Sequence, residues 1–318
     1  MAPHPVNRPL PRPSRRVCVF GEALVDELPS GPVPGGAPLN VACHAAGFGL
    51  EPLLLSRVGR DAAGDALLAA LAAKGVPAGG IEADPVLPTG RAVVSLRGAA
   101  PRFEIPEGTA FDAIDGATAA RAAREWRPSV VAFGTLALRR SVSLAALGEV
   151  LAATKAVRLA DLNLRAPWYD GSVVCRALSA ANVVKVSDEE LEEVRRLLSL
   201  PTRDPEALAA DVVRRFRLRA LYVTRGAKGA WAAFRSGDGV RFAEASASSP
   251  EEPVVDTVGA GDAFTSVVLI GLVRGWTPEE SLRRGVAFAG AVTRIAGATP
   301  KDGSFYDPFL SEWGEAAA

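Results

Sequence analysis

The sequence predicts an α/β protein with a mostly parallel central sheet, helices on both faces and a small hairpin beside it. Three observations carry that expectation. Short apolar, β-rich runs alternate along the chain with Ala- and Leu-rich stretches at helical spacing, the pattern of βαβ units. One stretch, 91–97, breaks the pattern by alternating side chains strictly. Several β-rich runs end in polar or glycine-rich segments, as where ligands gather beyond the carboxyl ends of parallel strands.

In chain order, the runs 17–20, 53–58, 129–133, 157–160, 182–186 and 220–223 read as buried strands. Between them, 39–47, 62–74, 142–155, 189–198 and 205–216 read as helices. In the second helix Ala66, Leu67, Ala70 and Leu71 form an apolar stripe, and Gly75 is a good stop. In 91–97, Arg91, Val93, Ser95 and Arg97 share one face, and Ala92, Val94 and Leu96 the other. The turn 98–101 and the short run 103–105 complete a hairpin, read as a lid or as an edge feature. Segment 236–252, rich in Ser, Gly, Glu and Ala, reads as loop or edge, and 267–273 as a buried helix.

Composition removes several function classes. The 318 residues carry 36 basic and 36 acidic side chains, so no global field draws in nucleic acid or an anionic membrane. Cys18, Cys43 and Cys175 are too scattered for a disulfide framework or a zinc site, which suits a reducing, cytoplasmic setting. His4 and His44 leave little material for imidazole catalysis, and His44 in its Ala-rich helix reads as structural. No apolar run approaches the roughly 20 residues of a spanning helix. The first 16 residues hold five Pro and four Arg and read as a disordered tail, not a signal peptide.

The sharpest chemical signal is Asp256-Thr257-Val258-Gly259-Ala260-Gly261-Asp262-Ala263-Phe264, just before the apolar helix. Its glycines allow a tight turn and close ligand approach, and free N–H groups at a helix start attract anions. Asp262 beside them could accept the proton of an attacking hydroxyl, an arrangement suited to phosphoryl transfer. The alternative is a plain turn with Asp262 complementing the helix dipole. No GxGxxG follows the first strand and no GxxxxGK[ST] occurs, which speaks against a dinucleotide fold and a P-loop kinase. Gly35-Gly36 before Asn40 either brings backbone against a polyhydroxy ligand, with Asp26 and Asn40 bonding hydroxyls, or is a simple turn. Ser187-x-x-Glu190 reads as a capping box, compatible with Glu190 also reaching Mg²⁺ through water. Arg165 is either a solvated charge or a clamp, and Trp168 near it is a candidate pocket wall.

These residues resemble the ribokinase/PfkB family of sugar kinases. The run Gly35-Gly36-Ala37-Pro38-Leu39-Asn40-Val41-Ala42, with Ser56-Arg57-Val58-Gly59-Arg60-Asp61-Ala62-Ala63-Gly64-Asp65, is similar to its N-terminal signature, and the segment from Asp256 to Phe264 to its C-terminal one. Thr89-Gly90-Arg91, the segment from Asp161 to Arg165, the segment from Lys185 to Leu191 and the segment from Val223 to Gly229 fit between them. Gly21-Glu22-Ala23-Leu24-Val25-Asp26 looks most like the fructokinases within the family. The resemblance implies a ribokinase-like three-layer αβα sandwich with a small β-hairpin lid. It implies one kinase domain over 17–310 with lid segments about 27–36 and 89–107, between tails 1–16 and 311–318.

The implied reaction is ATP-dependent phosphorylation of a primary sugar hydroxyl, with D-fructose as acceptor. Asp262 would be the base and Gly259, Ala260 and Gly261 the anion hole. Asp26, Gly35, Gly36, Asn40 and Arg165 would hold the sugar. Ser187, Thr224, Gly226, Gly229 and Gly261 would line the nucleotide site, Glu190 would act on Mg²⁺ through water, and K⁺ would bind near Asp256 and Val258. Sugar and ATP are then the partners, with a homodimer open, since some relatives build one on the lid. Ser187 stands where many members have Asn, the span from Asp26 to Gly35 is short for a lid, and Thr135-Leu136 lacks the carboxylate ribokinases use for ribose. The alternatives are 2-keto-3-deoxygluconate, ribose or a nucleoside as acceptor, and a non-catalytic, sugar-responsive binding or scaffold protein of this fold.

Overall fold

The computed structural model describes residues 14–28, 31–95, 102–247 and 253–314. The expected turn 98–101, most of the two tails and part of 236–252 lie outside the described residues. The strands are β1 (Arg16–Phe20), β2 (Leu24–Leu28), β3 (Gly31–Gly35), β4 (Glu51–Gly59), β5 (Ile81–Asp84), β6 (Gly90–Ser95), β7 (Arg102–Glu104), β8 (Val130–Phe133), β9 (Val157–Asp161), β10 (Val183–Ser187), β11 (Ala220–Thr224), β12 (Ala230–Ser236) and β13 (Gly239–Ala245). The helices are α1 (Ala37–Gly47), α2 (Ala62–Ala73), α3 (Gly116–Trp126), α4 (Ser141–Ala153), α5 (Gly171–Ala180), α6 (Asp188–Leu197), α7 (Pro205–Arg215), α8 (Ala260–Arg274), α9 (Pro278–Val292) and α10 (Asp307–Glu312).

Nine strands form the main sheet in the order β13-β12-β11-β10-β9-β8-β1-β4-β5. All neighbours from β11 to β5 run parallel, and β12 and β13 add an antiparallel edge. Strand periodicity sorts the core into two layers. In β1, Cys18 and Phe20 face one cluster with Val150 of α4, Val174 of α5 and Val212 of α7. Val17 and Val19 face the other, with Val41 of α1, Leu67 of α2, Val267 of α8 and Phe288 of α9. This is the ribokinase-like αβα sandwich expected from the sequence.

The expected hairpin at 89–107 is one half of the small lid. A separate sheet of four strands, order β3-β2-β6-β7, joins two hairpins through the parallel pair β2·β6. The short span from Asp26 to Gly35 suffices because β2 and β3 are five residues each and pair directly. Ordered chain also extends past the expected limits at both ends. Arg16 belongs to β1, and Trp313, after α10, stacks on Phe48 with centroids 5.1 Å apart and is buried. Segment 236–252 contributes the edge strand β13. Among the described residues no helix is long and apolar enough to cross a membrane.

One carboxylate ties the lid to the main sheet. Asp61 caps α2, accepting from Gly64 N at 2.8 Å. The same side chain accepts from Thr89 N at 2.9 Å and from Thr89 Oγ1 at 2.7 Å, just ahead of β6. Thr89 Oγ1 in turn accepts from Gly59 N at 2.9 Å. Asp61→Ala removes a helix cap and leaves buried Thr89 groups unpaired. Chemical denaturation should show a loss of about 2–4 kcal/mol; a loss below about 0.5 kcal/mol, the range of ordinary surface changes, would show that the lid is anchored elsewhere.

Candidate active site

The parallel sheet brings its polar strand ends to one edge. There β1 leads to Glu22, β9 to Asn163 and Arg165, β10 ends at Ser187, and β11 ends at Thr224 in register with Ser187. Helix α8 starts at the same edge. Its N-cap, Gly259, has φ 80°, and a Cβ there would come 2.5 Å from Ala298 Cα, so only glycine fits. The first turn is open. Ala260 N reaches Thr257 O only at 3.4 Å, and the N–H groups of Gly261 and Asp262 have no backbone acceptor among the described residues. Such a turn is a ready anion site.

Asp262 sits in this turn and is half-buried. Its Oδ2 accepts from Asn40 Nδ2 of α1 at 2.8 Å, across 222 positions of sequence. The packing of α1 on α8 therefore sets the orientation of the carboxylate and leaves Oδ1 without a bond among the described residues. Burial raises the Asp262 pKa, and the Asp161 charge adds to that; the Asn40 bond, Lys185 and Arg165 pull it back. Such a carboxylate is a better proton acceptor than an exposed one and still keeps its charge stabilised.

A cavity of about 560 Å³ opens in front of it. Its walls include Asp26, Gly36, Asn40, Arg165, Val258, Gly259, Gly261 and Asp262 among the expected residues. Leu24, Ala92 and Ile105 bring the lid side into the same wall. Gly36, the N-cap of α1, has φ 104°, and a Cβ there would meet Glu22 O at 2.7 Å. Gly35 lies behind the wall, where a Cβ would fall on the Asp26 carboxylate. Burial, then the Asp262 charge, pushes Asp26 up to about 6, against the pull of Arg165.

The remaining expected residues stand outside this cavity. Ser187 caps α6 by accepting from Glu190 N at 3.1 Å. Thr224 Oγ1 donates to Val186 O at 3.3 Å, and Gly226 and Gly229 shape the turn into β12, where Arg225 N donates to Gly229 O at 2.8 Å. Both Glu190 oxygens accept backbone amides, from Leu164 at 2.6 Å and Ser187 at 2.8 Å, so this carboxylate braces the loop that carries Arg165. Asp256 accepts from Val258 N and from Gly297 N, both at 3.0 Å, and so pins the loop before α8. Trp168 does not line the cavity; it covers the Arg139 guanidinium at 4.5 Å.

Sequence reasoning missed three features. Lys185 on β10 is buried and pairs with Asp161 at 3.1 Å. Thr265 Oγ1 lies 2.6 Å from Asp161 Oδ2 and 3.0 Å from Gly261 O, which fastens the first turn of α8 to this pair. A Cβ on Gly261 would come 3.1 Å from Lys185 Nζ, so a fixed cation stands directly behind the anion site. Glu22 is the second feature and Asn163, in the cavity wall at φ 40°, the third. Only the chemistry-bearing residue types inside otherwise apolar or polar runs could have signalled them.

His44, as expected, is structural. It is buried, contacts the Tyr306 hydroxyl and Ala298 O at 3.0 Å each, and so steadies the residue against which Gly259 turns. Burial pushes its pKa down to about 4. The unfolded chain then binds the extra proton, so this contribution is present above about 6.5 and is lost as pH falls toward about 4. Denaturant titrations should show wild-type stability falling relative to His44→Gln across that window, by up to about 3 kcal/mol. A pH-independent difference would mean that the imidazole is not held neutral.

Comparison with known proteins agrees with this fold. Residues 31–302 match the family described as pfkB family carbohydrate kinase. The chain belongs to the pfkB family of carbohydrate kinases. A fructokinase of Salmonella typhimurium is 31% identical over 280 residues, covering 83% of this chain and 87% of the relative. The crystal structure of a fructokinase with bound ATP from Xylella fastidiosa superposes with a TM-score of 0.80 at 24% identity, covering 95% of this chain and all of that one. A fructokinase double mutant from Vibrio cholerae O395, in its fructose, ADP and potassium form, gives 0.76 at 25% identity, covering 93% and 98%. The enzyme class expected from the sequence, an ATP-dependent carbohydrate kinase, therefore stands.

Proposed function

We propose that this kinase transfers the γ-phosphoryl group of ATP to a primary hydroxyl of D-fructose. The observation that carries the reading is Asp262. It faces the cavity with one oxygen held by Asn40, beside the open amides of α8. In the step, the acceptor oxygen attacks the γ-phosphorus and its proton passes to Asp262. The bond from the γ-phosphorus to the bridging oxygen breaks, and ADP leaves with that electron pair. The Gly261 and Asp262 amides, backed by Lys185, hold the charge that spreads over the transferring group.

The nucleotide then runs from these amides toward Ser187, Thr224, Gly226 and Gly229, which share the same sheet edge. Mg²⁺ neutralises phosphate charge when bound. Among the described residues no cluster of His, Cys, Asp or Glu forms a metal cage. A phosphate- and water-held Mg²⁺ needs none, and Glu190 would reach its shell only through water. K⁺ near Asp256 and Val258 fits the fixed loop there and the potassium-bound form of the Vibrio relative.

Charge in the cavity favours a neutral polyol over a sugar acid. Among the described residues, three acidic side chains, Glu22, Asp26 and Asp262, line it against a single basic one, Arg165. Arg91, another cation a keto acid would call on, is paired with Glu27 at 2.9 Å. A retained Asp262 with an open α8 turn also speaks against a purely sugar-responsive binding protein.

An ADP-release assay across D-fructose, ribose, 2-keto-3-deoxygluconate and a nucleoside tests the reading. Turnover should be highest with D-fructose, and Asp262→Asn should lower kcat by about 10²–10⁴ with ATP binding nearly intact. Near wild-type kcat in that variant would remove Asp262 as the base, and a preferred acceptor other than fructose would replace the substrate.

A further inference from the structure

One carboxylate in the acceptor cavity takes no part in the steps above. Glu22 lies on the link from β1 to β2 and is 3% exposed. It lines the same cavity as Asp26, Asn40, Arg165 and Asp262. Its Oε2 is buried with no hydrogen-bond partner among the described residues. Neither neighbouring arginine bonds it directly among the described residues. Arg139 is bound to Asp112 at 2.7 Å and to Ile105 O at 3.0 Å and lies over the rings of Phe111 and Trp168. Arg165 forms no ion pair among the described residues.

A buried carboxyl oxygen without a partner is costly, and buried polar groups are as a rule bonded. The position of Glu22 is fixed nonetheless. A Cβ on Gly36 would come 2.7 Å from its carbonyl oxygen and 3.4 Å from its Cγ, so the glycine turn that opens α1 packs directly on it. A polyhydroxy acceptor would bring the missing partner into the cavity.

Resting on the acceptor site proposed above, we infer that Glu22 binds the acceptor directly, pairing its free carboxyl oxygen with a hydroxyl other than the one phosphorylated. Asp262 and Asn40 then serve the reacting end, and Glu22 reads a second position from within the protein. Burial pushes this carboxyl up to about 7, opposed first by its own backbone N–H and then by the charges of Arg165 and Arg139, and reinforced by that of Asp262. Near neutral pH it is thus able to accept from the hydroxyl or donate to it. An acceptor lacking that hydroxyl leaves the buried group unpaired and is rejected.

The test compares wild type, Glu22→Ala and Glu22→Gln on the best acceptor and its singly deoxygenated analogues, with melting temperature as a control. In wild type one analogue should lose about 10- to 100-fold in kcat/KM. In Glu22→Ala the same analogue should show no penalty beyond that of the parent sugar, while the KM for ATP stays within about twofold. Glu22→Gln, which keeps length and a bonding oxygen, should recover part of the parent activity, and it carries the comparison if the alanine variant does not fold. Deoxy penalties identical in wild type and variant would overturn this inference alone. Wild-type turnover of no alcohol would overturn the acceptor site and this inference with it.

Discussion

The proposed active site depends on keeping a carboxylate and a set of open amides side by side in one helix turn. The dipole of α8 favours the charge of Asp262, and burial opposes it. The balance is held from outside the turn. Asn40 reaches across from α1, Lys185 stands behind Gly261, and the Lys185–Asp161 pair is tied to α8 through Thr265. The pair is buried, so in the proposed reaction its worth lies less in stability than in fixing a cation behind the phosphoryl site.

The rest of the fold supplies that turn with walls. A parallel sheet delivers loops to one edge, and the lid sheet, braced through Asp61 and Thr89, closes the other side of the cavity. The loop before α8 is pinned by Asp256, and Gly259 turns against Ala298, which His44 holds from the core. Residues far apart in sequence thus serve one short stretch of backbone.

Much of this was legible in the sequence because buried parallel strands are short apolar runs and signature motifs sit where strands end. Asp262, Asn40, Asp26, Gly36 and Arg165 all meet in one cavity. The lid was underestimated because β3 reads Gly-Pro-Val-Pro-Gly, a turn-like composition tolerated on an edge strand. The strand β12, Ala-Trp-Ala-Ala-Phe-Arg-Ser, lies between β11 and β13 and has no alternation to reveal it. Lys185 was hidden because it lies inside an apolar strand and its partner is 24 positions away. Glu22 was hidden for the opposite reason: what marks it is a missing partner, and sequence does not display absences.

The most direct measurement is a crystal structure with an inert ATP analogue and fructose. The account predicts the γ-phosphoryl group within hydrogen-bond reach of the Gly261 and Asp262 amides, and a primary hydroxyl about 3 Å from Asp262 Oδ1. A terminal phosphate held elsewhere, with those amides facing only solvent, would contradict it.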